Sequence, residues 1–137
     1  MNKKVAVRYF SKSGNTKKIA AEIANFTGCE ALAIDKPINE PIDVLFLGAS
    51  VYWGGIDNRV KEFIRTLDAS KIGKVAVFST SALTERAYPD IKKLLQEKSI
   101  ITVSDDFYCR GQFGLLHRGK PDESDLKEVR KYAMKVT

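Results

Sequence analysis

The sequence predicts an α/β layer architecture built on a parallel sheet. Three observations lead there. Segments 4–10 (KVAVRYF), 43–50 (DVLFLGAS) and 74–80 (KVAVFST) are β-branched, aromatic and almost wholly apolar on both faces. Strands of that kind are expected where helices cover both sides of a parallel sheet. Amphipathic stretches alternate with them, giving the order β-α-β-β-α-β-α-β-α.

The first strand is expected over 4–10. The first helix, from Asn15 to Thr27, places Ile19, Ile23 and Phe26 on one face, and Gly28 is a suitable stop. A weaker strand follows at 30–34 (EALAI). The link to the strand at 43–50 is DKPINEPID, with two prolines. A crossover containing a helix takes roughly a dozen residues or more, so an extended link is expected. A helix from Asn58 to Leu67 groups Val60, Phe63, Ile64 and Leu67. After the strand at 74–80, Pro89 to Glu97 forms a short helix with Ile91, Leu94 and Leu95 inward and Pro89 in its first turn. A weaker strand is expected at 100–107 (IITVSDDF). The last helix follows Pro121, has acidic residues at its start, and carries Leu126, Val129, Tyr132 and Ala133.

The 137 residues are read as one domain, 1–137, with 44% hydrophobic residues and no repeat or linker. No apolar run reaches bilayer-spanning length. The apolar run in MNKKVAVRYF is too short for a signal segment and contains an arginine, which places the protein in the cytoplasm. Cys29 and Cys109 are then expected as free thiols. Their spacing fits no zinc pattern, and His117 is the sole histidine. The net charge of +6 favours anionic ligands or partners. The basic residues are scattered, with no dense arm interleaved with aromatics, which argues against nucleic-acid binding.

Three strand ends carry unusual loops. Ser11-Lys12-Ser13-Gly14-Asn15-Thr16 joins the first strand to the first helix. Gly14 permits positive φ. Ser11, Ser13, Asn15 and Thr16 offer donors beside free backbone N–H groups, and the helix start favours an anion. The segment is neither GxxxxGK[ST] nor GxGxxG. Alone it fits two readings: an ordinary cap using Ser13 or Asn15, or a site for a single phosphate. The second loop, GASVYWGGIDN at 48–58, places Tyr52 and Trp53 after a buried strand, with Gly54 and Gly55 behind them. Such aromatics either stack on a flat ligand or cover the sheet edge. The third, STSALTERAY at 79–88, has small hydroxyl residues suited to contact with a polar ring. Together the loops outline a site for a phosphorylated planar cofactor at the carboxyl ends of the strands.

Ser11 to Thr16 resembles the FMN-phosphate loop of the flavodoxin family, [ST]-x-[ST]-G-N-T, and the resemblance runs over nearly the whole chain. It implies a flavodoxin-like three-layer sandwich: a five-stranded parallel sheet of order 2-1-3-4-5, helices on both faces, and here a second crossover lacking a full helix. It implies FMN as cofactor. Ser11, Lys12, Ser13, Gly14, Asn15 and Thr16 would hold the phosphate, while Val51, Tyr52, Trp53 and Gly54 would contact the ring. Ser79, Thr80, Ser81 and Ala82 lie where the family's second ring-contacting loop begins. FYCRGQF, followed by GKP and an acidic helix start, is similar to the C-terminal part of small bacterial flavodoxin-like proteins.

The chain also departs from that pattern. The tyrosine that often stacks on the second ring face falls near Glu85, and Tyr88 is a poor substitute by spacing. A common Gly-Asp pair is replaced by Ser81-Ala82. Many flavodoxins are strongly acidic, and this chain is basic. The resemblance implies a redox protein carrying electrons between partner proteins, a reductase and an acceptor. GASVYWGG also resembles the matching loop of menaquinone-dependent protoporphyrinogen dehydrogenases, which leaves open an FMN-dependent oxidoreductase acting at the same site. A third possibility is a flavodoxin-like interaction module with weak FMN binding. No nucleophile–base pair is visible; Cys109, next to Arg110, reads as a buried structural thiol and His117 as a surface residue.

Overall fold

The computed structural model describes residues 3–12, 14–51, 55–81, 87–111, 119 and 121–137. The strands are β1 (Val5–Phe10), β2 (Ala31–Ala33), β3 (Ile42–Ser50), β4 (Ile72–Ser81) and β5 (Phe107–Arg110). The helices are α1 (Asn15–Thr27), α2 (Asn58–Thr66), α3 (Tyr88–Glu97) and α4 (Glu123–Val136), with a 3₁₀ turn at Ala69–Lys71. All strand pairings are parallel, in the order β2-β1-β3-β4-β5. The fold class expected from the sequence is the one observed.

Alternation along each strand divides the core in two. Val7, Val44, Phe46, Ala76 and Phe78 pack under α1 and α4 with Ile19, Ile23, Val129 and Tyr132. Phe10, Leu45, Leu47, Val75 and Val77 pack under α2 and α3 with Val60, Phe63, Ile64, Ile91 and Leu95. Across the first layer, Arg130 of α4 pairs with Glu22 of α1. Glycine at 48 is required by this packing: a Cβ there would stand 2.1 Å from Phe78 Cε2.

The short second crossover has no helix between Ala33 and Ile42. Its Ile34 and Ile38 cover the α2/α3 side of the core. An extended link leaves its carbonyls without ladder partners. Arg8 of β1 serves them: Nε donates to Lys36 O at 2.8 Å and Nη2 to Pro37 O at 3.2 Å, while Nη1 donates to Val7 O at 3.1 Å. Burial lowers the Arg8 pKa, partly offset by Cys29 and Glu30.

Two expectations need correction. The last strand is not at 100–107. Residue 102 makes only an isolated bridge to Val75, and continuous pairing starts at Phe107, opposite Phe78. Three steps along β4 are thus matched by five along its neighbour, so two extra residues interrupt the edge. The carbonyls freed there turn to hydroxyls. Tyr88 Oη donates to Val103 O and Ser104 O, each at 2.9 Å, and Tyr132 Oη donates to Asp105 O at 2.8 Å. The second correction is Phe26, which is 41% exposed. The buried stripe of α1 is Thr16, Ile19, Ala20, Ile23 and Ala24. At about 100° per residue, Phe26 lies roughly 90° from the middle of that stripe.

Candidate functional site at the strand carboxyl ends

The strand order reverses between β1 and β3, so the segments leaving these two strands flank the switch point where open α/β sheets bind ligands. Residues 11–16 leave β1, and 51–57 leave β3. Gly14 is the N-cap of α1, left-handed at φ 90°. It has no side chain to cap the helix, and the first turn holds no acidic residue. The positive end of α1 is therefore not balanced by a carboxylate of its own first turn. Among the described residues, nothing lies within 4 Å of where a Gly14 side chain would stand, so on their side the approach is open. The loop is fixed from within: Ser11 Oγ accepts from Gly14 N–H at 3.0 Å.

Cations gather beside this loop. Lys12 Nζ lies 3.8 Å from Asp57 Oδ2. Asp57 caps α2, accepting from Arg59 N–H at 2.8 Å and Arg59 Nε at 3.1 Å. The Arg59 guanidinium lies 4.8 Å over the Phe10 ring. The Arg59 backbone N–H is the main reason the Asp57 carboxyl titrates below its usual range, with the Arg59 and Lys12 charges acting the same way against some desolvation. Lys18 is turned elsewhere: its Nζ donates to Pro121 O at 2.6 Å, ahead of α4.

Thr16 faces inward. It is 0% exposed, and its Oγ1 bonds Ser50 Oγ at 2.8 Å and Thr80 Oγ1 at 2.7 Å. Ser50 ends β3, is paired with Thr80 of β4, and lies on the α1 side with Phe46 and Gly48. Ser79 and Thr80, expected at the junction of the strand and the third loop, and Ser81, expected in that loop, all belong to the last rungs of β4 and are buried. Their hydroxyls do not prevent pairing, so the ladder continues. Ser79 Oγ accepts from Ala87 N–H at 3.4 Å ahead of α3. Ser81 O accepts from Gly111 N–H, and Thr80 O from the N–H of buried Val51. Asn15 packs on Gly111, where a Cβ would come within 2.5 Å of its Nδ2.

The structure thus joins Thr16 to Thr80, brings Val51 to the same strand ends, and sets Ser11, Lys12, Gly14 and Asn15 around the start of α1. Ser13, Tyr52, Trp53, Gly54, Ala82, Glu85 and His117 lie outside the described residues. Sequence reasoning missed Ser50, Asp57, Arg59 and Gly111. For Ser50 a signal existed: two-residue alternation from Phe46 puts it on the α1 side. Arg110 was read only as a neighbour of Cys109. It lies opposite Ser81 at the end of β5, and its buried Nη1 has no acceptor among the described residues. Cys29 and Cys109 are free thiols. Tyr88 is buried and held by the Val103 and Ser104 carbonyls ahead of β5, which removes it as a stacking residue. Among the described residues no group of three or more His, Cys, Asp or Glu could hold a metal, and no helix is long and apolar enough to cross a membrane.

A model of the flavodoxin domain family matches residues 6–135. The chain belongs to that family. Its fold is similar to that of a flavodoxin from the domain Archaea, at a TM-score of 0.79 and 16% identity, covering 96% of this chain and 94% of that one. It is similar to oxidised flavodoxin 2 from Bacillus cereus, at a TM-score of 0.71 and 20% identity, covering 96% and 95%. A flavoprotein in complex with FMN from Lactobacillus acidophilus NCFM matches at a TM-score of 0.59 and 20% identity, covering 79% and 93%. Among curated proteins no sequence matches.

Proposed function

We propose that this chain binds FMN at the carboxyl ends of β1, β3 and β4 and carries electrons between partner proteins. The observation that carries the reading is the start of α1: a left-handed glycine cap, an open approach and an acid-free first turn. Family membership and the fold shared with an FMN complex support it. FMN, when bound, supplies the electron-transfer chemistry.

The chain's residues supply binding and shielding. Ser11, Ser13, Gly14 and Asn15 hold the phosphate with backbone N–H groups of the first turn, and Lys12 and Arg59 contribute positive field. Thr16 contributes through its backbone, its hydroxyl being engaged inward. Val51, Tyr52, Trp53 and Gly54 form one ring wall, and Ser79 to Ala82 form the floor of the other. The charge of +6 favours partners with an acidic docking face. The setting is cytoplasmic.

A second reading has its own support. With Tyr88 held by the carbonyls of Val103 and Ser104, the far ring wall lacks that aromatic, which suits an enzyme whose substrate reaches the flavin directly.

The test is titration of purified protein with FMN, followed by mixing with candidate donors. The proposal expects a yellow protein with quenched flavin fluorescence. A colourless protein that takes up no FMN overturns both readings. Oxidation of NAD(P)H or a quinol by the isolated protein selects the enzyme, and slow turnover without a reductase selects the carrier.

A further inference from the structure

A cavity of about 550 Å³ sits at the break ahead of β5, between residues 104–108 and α4. Pockets for small organic ligands start at about 300 Å³. Aromatic rings form much of its wall. Phe107 returns to the ladder opposite Phe78, with its ring centre 6.2 Å from that of Tyr132. The Tyr132 hydroxyl is anchored on Asp105 O. Tyr108, in the same wall, is 47% exposed. The charged lining reverses the sign of the chain. Three carboxylates, Asp105, Asp106 and Glu128, stand against two ammonium groups, Lys131 and Lys135, in a protein of net charge +6. Burial, and after it the Asp106 charge, push the Tyr132 phenol well up, so the carboxylate field reaches the aromatic wall.

We propose that this cavity binds an alkylguanidinium group. Aromatic faces attract cations. A guanidinium stacks on rings and also bonds carboxylates through a planar fork of donors, which an ammonium lacks. The negative lining disfavours the anions that the rest of the chain attracts. The two lysines do not close the site. Lys131 Nζ lies 3.3 Å from Glu128 Oε1, and Lys135 Nζ bonds Asp105 Oδ2. All four of these side chains are more than half exposed. Exposed pairs of that kind contribute little, so an incoming cation displaces either lysine at small cost. The group belongs either to a free guanidine or to an arginine side chain on a polypeptide. The site shares no residue with the one at the carboxyl ends of β1, β3 and β4, and it stands whether or not FMN binds there.

Butylguanidinium chloride, titrated into the isotope-labelled chain, probes the group itself. Saturable amide shifts are expected at residues 104–108 and along α4 from Glu128 to Lys135. Butylurea, neutral and of similar shape, should produce none. Glu128→Gln and Tyr108→Ala, both at exposed positions, should each weaken binding about threefold or more. If Tyr108→Ala does not fold, Glu128→Gln decides. An acetylated glycine–arginine–glycine amide separates the sources. Binding at least as tight as that of butylguanidinium assigns the site to a polypeptide arginine, and weaker or absent binding assigns it to a free guanidine. Shifts that do not saturate, an equal response to butylurea, or full affinity in both variants overturns the proposal.

Discussion

The Phe78 ring occupies the space that a side chain on Gly48 would need. A Cβ there would lie 2.1 Å from Phe78 Cε2 and 2.2 Å from Cζ. Gly48→Ala therefore overfills a close-packed layer and is expected to lower stability by about 1–3 kcal/mol. Chemical denaturation measures it. Adding Phe78→Leu to the alanine variant should recover part of the loss, so the two changes should be less than additive. Strict additivity would contradict the contact.

Arg8 supplies the donors that the helix-free crossover lacks. Arg8→Met keeps the apolar stem and leaves Lys36 O and Pro37 O without their guanidinium partners. A loss of about 1–3 kcal/mol is expected. Amide exchange should show residues 34–41 opening more readily than the rest of the sheet. Unchanged protection there would mean that the link is held by Ile34 and Ile38 alone.

Asp57 sets a pH dependence. Its carboxyl titrates below its unfolded value, chiefly through the Arg59 N–H. A depressed folded pKa contributes stability above the unfolded value, near 3.9, and loses it as pH falls through the folded value. Asp57→Ala is therefore expected to cost about 1 kcal/mol at neutral pH as a lost helix cap. That gap should narrow as pH drops below about 4. Melting curves of both chains from pH 7 to pH 2 test this, and a gap constant over that range would contradict it.

Gly14 separates ligand binding from packing. Its φ of 90° strains any β-branched residue, but no atom of the described residues stands in the way. Gly14→Val is expected to keep the fold and to weaken FMN binding at least about tenfold, roughly 1.4 kcal/mol. Fluorescence titration reads it directly. Wild-type affinity in this variant would remove the phosphate assignment from the start of α1.

The sequence was most legible where burial on both faces left one reading. The strands at 4–10, 43–50 and 74–80 correspond to β1, β3 and β4 within two residues at each end. The missing crossover helix followed from chain length alone. The edge was harder to read. IITV at 100–103 has a strand-like pattern, but pairing depends on a register that two extra residues reset, and apolar pattern carries no register. At the site the residue types were legible and their directions were not. Thr16, on the first turn of a helix, faces wherever the helix packs, which only the assembled sheet decides. Arg8 read as one charge in an apolar strand, because its partners are carbonyls, which no side chain in the sequence reveals.

The break before β5 has a mechanical consequence. Its carbonyls are held by Tyr88, which belongs to the α2/α3 layer, and by Tyr132, which belongs to the α1/α4 layer. Elsewhere the sheet separates the two layers. At residues 103–105 they grip the same strip of backbone from opposite sides. A displacement of either layer would therefore pull there on the other, so these three carbonyls tie the two halves of the molecule together at one edge of the sheet.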